Sequence, residues 1–125
     1  MSNPQQTNDN RRDHRFELLD YALAKPKGSE AVLRSVVVDV SLGGLQVRSR
    51  FKFNPGEICE LTIGRGQLVP LHVHGEVRYC TPIEDSDLFA TGFRLMPESV
   101  GERIEWVDYV HSVFQVQGEA LLNWS

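Results

Sequence analysis

The sequence predicts a mainly β protein, an antiparallel barrel or sandwich with one C-terminal helix. Short apolar runs recur at regular intervals between Gly, Pro, Asn and Asp turns, which is typical of antiparallel strands rather than βαβ units. After Pro97 the apolar residues change from a strand-like to a helical spacing. The 125 residues suffice for one domain with its own core.

Charge and composition exclude several classes of protein. The net charge of −4 argues against general binding to nucleic-acid backbones, although a small basic anion site remains compatible with it. No apolar run approaches the length of a membrane span, and the polar start lacks the apolar core of a signal peptide. We therefore expect a cytoplasmic protein without membrane insertion. Cys59 and Cys80 form no CxxC pair and are expected to be buried free thiols.

Six strands are predicted. The first lies among the apolar residues that begin at Phe16, where a short helix is the alternative. The other five are bounded by turn residues and cover 31–40, 45–50, 58–63, 68–80 and 88–96. In the fifth strand, the apolar pattern is expected to shift its register at Gly75, which would then mark a bulge or bend.

The helix is predicted over about residues 99–116. Ser99 and Glu102 form a capping-box signature at its start, and Gly118 is expected to end it. The residues expected to pack on the strands recur at helical spacing: Ile104, Val107, Val110 and Phe114. The tail, residues 118–125, is too apolar for a free end. We expect it to dock on this domain or to contact another chain, such as a second copy in a homodimer formed through the helix or the tail.

A polar turn, residues 39–44, follows the most apolar run of the chain and has the sequence Asp-Val-Ser-Leu-Gly-Gly. Asp39 and Ser41 are two positions apart, so both side chains leave the same face of an extended strand. Gly43 and Gly44 allow positive φ and leave open space. A carboxylate beside a hydroxyl suits the edge of a flat ligand rich in N–H groups. The alternative is a β-turn or bulge whose Asp and Ser only cap the local backbone.

A cluster of arginines lies near the start of the chain. Arg11, Arg12 and Arg15 fall within five residues, directly after a polar segment, residues 1–10, that we expect to be disordered. Two such guanidiniums can converge on one anion, because their planar fork matches phosphate and the O6/N7 edge of guanine. The alternative is a solvated basic cluster, or an arm that touches nucleic acid or acidic lipid.

Together, these two motifs resemble the signature of the PilZ domain, the family of cyclic di-GMP receptors. That signature is Arg-x-x-x-Arg before the first strand and Asp/Asn-x-Ser-x-x-Gly at the end of the second, which here are residues 11–15 and 39–44. Gly-Glu-Val-Arg at 75–78 and Thr-Gly-Phe-Arg-Leu at 91–95 are similar to later strands of the family. The resemblance covers about residues 11–115.

The resemblance implies a six-stranded antiparallel PilZ-type (split) β-barrel with a C-terminal α-helix packed on it. We place this domain at residues 11–117, between the N-terminal arm, 1–10, and the apolar tail, 118–125. The implied function is that of a non-enzymatic receptor whose ligand is cyclic di-GMP, with neither a cofactor nor a metal. His72 and His74 share a strand face, but no third ligand is near them in the sequence.

The implied ligand-binding residues come from both motifs: Arg11, Arg15, Asp39, Ser41 and Gly44, with Arg12 as an additional phosphate contact. The arginines would bind phosphate and guanine edges and stack on the rings. Asp39 would accept from guanine N1–H and N2–H₂, Ser41 would hydrogen-bond the base or phosphate, and Gly44 would let the base lie close to the backbone. Asn10 stands where some members carry another basic residue and hold two stacked ligand molecules, which argues against a two-molecule ligand here.

We expect the ligand to order the arginine arm over the barrel and so create a surface for an unidentified effector protein. We expect no output domain in this protein, so its effect is expected to pass through that partner. Three alternatives compete with this hypothesis. They are a PilZ-like interaction protein without nucleotide binding, a split-barrel enzyme of the flavin-reductase type, and a nucleic-acid-binding arm.

Overall fold

The computed structural model describes residues 20–65 and 68–123, which form a closed antiparallel barrel of six strands and one helix. The strands are β1 (Tyr21–Pro26), β2 (Leu33–Ser41), β3 (Gly44–Ser49), β4 (Ile58–Arg65), β5 (Leu68–Pro82) and β6 (Phe89–Leu95), and the helix is α1 (Val100–Asn123). Around the barrel the order is β1-β2-β3-β6-β5-β4, and β4 closes the barrel by pairing with β1. The predicted fold class is confirmed, and the architecture is a barrel rather than a sandwich.

Alternating side chains of the strands fill the barrel. In β4 the inward residues are Cys59, Leu61 and Ile63, which alternate in the sequence with Glu60 and Thr62. In β1, however, the inward residues are Ala22 and Ala24, while the larger side chains on either side of them point outward. Small residues suit this position because the larger apolar side chains of the neighbouring strands already fill the space. The part of the predicted first strand before residue 20 lies outside the described residues.

The bulge predicted at Gly75 is wrong in position. Gly75 pairs in register with Cys59, and the register of β5 against β6 shifts only between Val77 and Tyr79. A Cβ at position 75 would lie only 3.2 Å from side-chain atoms of Phe93 and Leu61, so glycine leaves the space that these core residues need. The displaced bulge has a functional consequence, because it turns two successive side chains of β5 outward.

The face of α1 that packs on the barrel overlaps the predicted one only in part. The buried residues are Trp106, Tyr109, Val110 and Val113, so the prediction is confirmed for Val110, whereas Ile104 and Phe114 are at least half exposed. Both sets have helical spacing, so periodicity alone cannot distinguish them. The observed face buries the two largest side chains available and gives both of their polar atoms a partner.

Three side chains of α1 make polar contacts that attach the helix to the barrel. The indole Nε1 of Trp106 donates to the carbonyl oxygens of Ser41 and Leu42, at 3.1 and 3.2 Å. The hydroxyl of Tyr109 donates to the Asp20 carboxylate at 2.7 Å. The Glu102 carboxylate accepts from the backbone N–H of His74 at 2.7 Å and contacts Nδ1 of the same residue at 3.0 Å. The helix is thus fixed to the β2–β3 turn, to the start of β1 and to β5.

The helix begins as predicted and extends further than predicted. Ser99 Oγ accepts from the backbone N–H of Glu102 at 3.0 Å, which is half of a capping box. The Glu102 side chain does not return to Ser99 but bonds His74. Gly118 does not end the helix, which continues to Asn123. A helical glycine costs only about 1 kcal/mol relative to alanine, so it does not force an end.

The two cysteines are unpaired thiols. Cys59 is fully buried between the strands, as predicted, whereas Cys80 is only partly buried. Burial, together with the nearby Glu57 carboxylate, raises the pKa of the Cys59 thiol to about 12. A neutral, buried thiol is a poor nucleophile, so Cys59 contributes packing rather than chemistry.

Candidate functional site

The predicted polar turn lies at the end of β2 and reverses the chain into β3. A register shift between Val37 and Asp39 inserts Val38 as an extra residue, so that Val37 and Val38 are both buried. After this bulge Asp39 and Ser41 point outward on the same face, and Val40 between them points into the core. The prediction that Asp39 and Ser41 share one face is confirmed.

The strand register extends these two side chains into two rows across the outer surface of the barrel. The Asp39 row consists of directly paired residues from four strands: Asp39, Gln46, Gly92 and Tyr79. The Ser41 row, beside it, consists of Ser41, Gly44, Arg94 and Glu76. Because paired residues on one face have Cβ atoms about 5 Å apart, each row forms a continuous strip of neighbouring groups.

The two rows, without Glu76, form the floor of an open groove of about 480 Å³. Its polar groups are a carboxylate, a hydroxyl, an amide, a phenol and the guanidiniums of Arg78 and Arg94. Arg94 Nη2 lies 2.8 Å from the Glu76 carboxylate, whereas Arg78 makes no ion pair within the described part of the chain. Arg78 is therefore a cation available to a ligand at the edge of the groove.

Sequence reasoning did not find the residues that β3, β5 and β6 contribute to the groove. Gln46, Arg78, Tyr79 and Arg94 are distant from the turn in the chain, and only the strand order brings them together. The β5 bulge turns Arg78 and Tyr79 outward in succession. An aromatic residue beside an arginine in a strand was the one available signal.

The Tyr79 ring is held in place on the groove floor. A Cβ at Gly92 would collide with the ring atoms of Tyr79, so this glycine leaves the space in which the ring lies. The Tyr79 hydroxyl accepts a hydrogen bond of 2.8 Å from Gln46 Nε2. Tyr79 as a residue keeps about two fifths of its surface exposed. Such a fixed aromatic surface can stack against a flat ligand at little cost in side-chain entropy.

The glycines of the turn act differently from the prediction. Among the described residues, the glycines with positive φ are Gly28 and Gly56, so Gly43 and Gly44 do not supply a left-handed turn. Gly44 is required by close approach instead, because a Cβ there would collide with the carbonyl oxygen of Phe93 on β6. A Cβ at Gly43 would meet open space.

This difference predicts opposite outcomes for two neighbouring substitutions. Gly44→Ala must push β6 away from β3 and is expected to lower the free energy of unfolding by about 1–3 kcal/mol. Gly43→Ala is expected to change it by no more than about 0.5 kcal/mol. Urea denaturation of both variants beside the wild type checks this. Equal effects at the two positions would contradict the packing explanation.

The predicted arginine sites, Arg11, Arg12 and Arg15, lie outside the described residues. The structure does describe where the chain emerges from that segment. The carbonyl oxygen of Asp20 accepts from the backbone N–H of Val37 at 2.7 Å. Since β1 and β2 are antiparallel, the start of β1 points towards the end of β2 that carries Asp39.

No group of three or more metal-ligating side chains occurs among residues 20–65 and 68–123. His72 contacts the Thr62 hydroxyl at 3.1 Å, and His74 lies between Glu102 and the more distant Glu98. The histidine pair is thus engaged with separate neighbours. In the same part of the chain, no helix is long and apolar enough to cross a membrane.

Several solved structures share the fold of this chain. Among solved structures, the chain is similar to the PilZ domain with c-di-GMP of YcgR from Escherichia coli, with TM-score 0.65 and 16% identity over 82% of this chain and 87% of that one. It also resembles the crystal structure of YcgR from Escherichia coli in complex with c-di-GMP (TM-score 0.69, 16% identity, 85% of this chain and 46% of that one). A third similar structure is the Bacillus subtilis inhibitor of motility, MotI/DgrA (TM-score 0.62, 16% identity, 81% of this chain and 48% of that one).

The chain therefore spans about half the length of two of these structures. No curated protein matches the sequence. The family model described as the PilZ domain matches residues 9–112, which is most of the chain. The match includes both sequence motifs and all six strands of the barrel. The chain belongs to the PilZ domain family.

Proposed function

We propose that this protein is a non-enzymatic receptor for cyclic di-GMP and that the ligand binds across the Asp39 and Ser41 rows. The observation that carries the proposal is the arrangement of Asp39, Ser41 and Tyr79 on one outer face, beside the guanidinium of Arg78, which makes no ion pair with another described residue. Membership of the PilZ family and the similarity to two YcgR structures that contain c-di-GMP support it.

The groove matches the two chemical parts of the nucleotide. The Asp39 carboxylate accepts from N1–H and N2–H₂ of one guanine, since those are the donors on that edge and a carboxylate only accepts. The Tyr79 ring supplies a face on which a guanine stacks, a contact worth about 1–3 kcal/mol per base. Arg78 offers a cation to a phosphate, which increases the positive charge that the ligand meets.

The arginine motif completes the site in this proposal. Arg15 lies five positions before Asp20, so it can reach at most about 17 Å from the fixed start of β1. That start points towards Asp39, which makes the groove accessible to Arg15 and, with four more residues, to Arg11. Arg11 and Arg15 bind phosphate and guanine edges, and Arg12 adds a phosphate contact.

Binding orders the segment that carries these arginines over the outer face of the barrel. The dianionic ligand removes the mutual repulsion of the guanidiniums, which otherwise opposes their convergence. The covered face, with its ordered segment, is the surface that an effector protein recognises. Because ordering a segment lowers the net affinity, we expect dissociation constants of about micromolar or somewhat below.

Isothermal titration of the purified full chain with cyclic di-GMP tests this function. Saturable binding is expected for the wild type, and GTP at the same concentrations is expected to give no heat. Arg15→Ala should weaken binding by about tenfold to a hundredfold, because it removes a charge-assisted bidentate contact. Arg34→Ala is the matched control, since Arg34 is an exposed arginine of β2 that does not line the groove.

The fitted stoichiometry also tests the prediction from Asn10, namely one ligand molecule per chain rather than a stacked pair. The absence of heat, together with an unchanged melting temperature in excess ligand, would overturn the receptor function. The chain would then be a PilZ-like interaction protein without nucleotide binding. Equal affinities of Arg15→Ala and Arg34→Ala would instead exclude the arginine motif from the site.

A further inference from the structure

A second apolar stripe runs along α1 on a side that the barrel does not cover. Val100, Ile104 and Phe114 are 77%, 55% and 50% exposed, and Val107 between them is half-buried. On a helical wheel this stripe is centred roughly 130° from the buried face that contains Trp106. Apart from Val110, the residues that the sequence places on the packing face thus lie on an apolar surface that the described part of the chain leaves uncovered.

The spacing of the stripe is that of a coiled-coil seam. Successive positions are four, three, four and three residues apart: Val100, Ile104, Val107, His111 and Phe114. This alternation is the a/d pattern of a heptad repeat, in which two helices pack with their seams facing each other. His111 is the single polar residue in it, and polar residues at such positions typically fix register and partner number. A helix lying on a membrane or in an irregular groove has no need of this repeat.

Opposite charges flank the stripe. Arg103 borders one side and Asp108 the other, at the g and e positions of the heptad. They are about 140° apart around the helix, so they cannot pair within one chain. Both are exposed, and neither side chain makes an ion pair with another residue of the described ranges. In two parallel helices related by a two-fold axis, each g residue meets the e residue five positions later in the partner.

We propose that this stripe is a homodimer interface in which the α1 helices of two copies pack in parallel. Arg103 of each copy then pairs with Asp108 of the other, and Ile104, Val107 and Phe114 meet their equivalents. The surface is complementary to itself, which favours a second copy over an unrelated protein. The barrel already holds each helix in place, so association does not have to pay for helix formation.

The dimer is expected to be weak. The described stripe, from Val100 to Phe114, is only about 21 Å long. That length buries the side of four turns of helix, which suits a dissociation constant in the micromolar range rather than a permanent dimer. The proposal does not depend on nucleotide binding, because the stripe and the groove lie on different elements.

Sedimentation equilibrium of the full chain over micromolar concentrations tests the interface. The wild type is expected to dimerise, and Phe114→Glu is expected to be monomeric because it places two carboxylates in the seam. The matched control is Val116→Glu, since Val116 is similarly exposed, at 53%, but lies on the opposite side of the helix. Unchanged circular dichroism of both variants verifies that each retains its fold.

A charge exchange tests the orientation of the helices. Arg103→Glu alone and Asp108→Arg alone should each weaken dimerisation by about tenfold, because each creates two repulsive pairs. The double variant restores both pairs with their signs exchanged and should recover affinity to within about threefold. A monomeric wild type, a dimer that Phe114→Glu leaves intact, or a double variant that fails to recover would each overturn the proposal.

Discussion

Trp106→Ala is expected to lower the free energy of unfolding by about 3–5 kcal/mol, which is a large part of the stability of a domain of this size. The indole is fully buried, its ring centroid lies 5.5 Å from that of Tyr109, and its N–H donates to the β2–β3 turn. Truncation therefore creates a cavity at the point where the helix meets the site. It also leaves the carbonyl oxygens of Ser41 and Leu42 without their donor.

Trp106→Phe separates packing from hydrogen bonding. It retains most of the apolar volume and removes only the N–H group, so we expect a smaller stability loss of about 1–3 kcal/mol. The turn that carries Ser41 then loses its attachment to the helix, and the affinity for cyclic di-GMP should fall as well. Trp106 acts here as a positioning residue, since it touches the backbone of the turn rather than the groove.

Urea denaturation and ligand titration of both variants measure these effects. Val116→Ala, an exposed substitution on the same helix, is the control and should stay within about 0.5 kcal/mol of the wild type. The account of helix docking would be wrong if Trp106→Ala cost no more than this control. Full ligand affinity in Trp106→Phe would show that the turn is positioned without the indole.

Asp39→Ala is expected to weaken cyclic di-GMP binding by about tenfold to a hundredfold. Alanine removes both acceptor oxygens, so the N–H donors of guanine lose their partner. A hydrogen bond to a charged group contributes about 1.5–3 kcal/mol, and its loss accounts for this range. Asp39 is exposed on the surface of β2, so the substitution leaves the core intact.

The control for this variant is Asp87→Ala. Asp87 lies in the loop before β6, outside the groove, and its carboxylate is 3.5 Å from the Arg50 guanidinium. Both substitutions change the net charge equally, so a general electrostatic effect on a dianionic ligand would appear in both. Isothermal titration of the two variants thus isolates the local contact. Equal affinities would remove Asp39 from the proposed site.

The sequence was most informative where alternation is strict. Strand β4 was predicted over residues 58–63, where Cys59, Leu61 and Ile63 alternate with the polar Glu60 and Thr62. The two register shifts, in β2 and β5, were harder to predict from the sequence. A bulge depends on which residues the partner strand presents, and that information is not local. The shift in β5 was placed at Gly75, although that glycine serves the packing of Phe93.

The helix illustrates a second limit. Two apolar stripes of similar spacing run along α1, and the sequence pattern favoured the one with Ile104 and Phe114. Which stripe packs depends on the barrel. It supplies carbonyl oxygens that accept from the Trp106 indole and the Asp20 carboxylate that accepts from the Tyr109 hydroxyl. The second stripe is then left exposed, and its heptad spacing becomes interpretable as a contact between copies.

About half of the candidate site could be predicted from the sequence. The shared face of Asp39 and Ser41 follows from the two-residue period of a strand and is confirmed. The rest of the groove floor, Gln46, Gly92 and Tyr79, depends on the order β2-β3-β6-β5, in which distant segments become neighbours. Local pattern cannot supply that order.

The most direct test of the central claim is a ¹H–¹⁵N correlation spectrum of the full chain recorded during titration with cyclic di-GMP. If the ligand binds across the Asp39 and Ser41 rows, the backbone amides of Asp39, Gly44, Gln46 and Tyr79 should shift and saturate together. The amides of β4, on the far side of the barrel order, should stay in place. Shifts confined to β4 and β1, or none at saturating ligand, would contradict the proposed site.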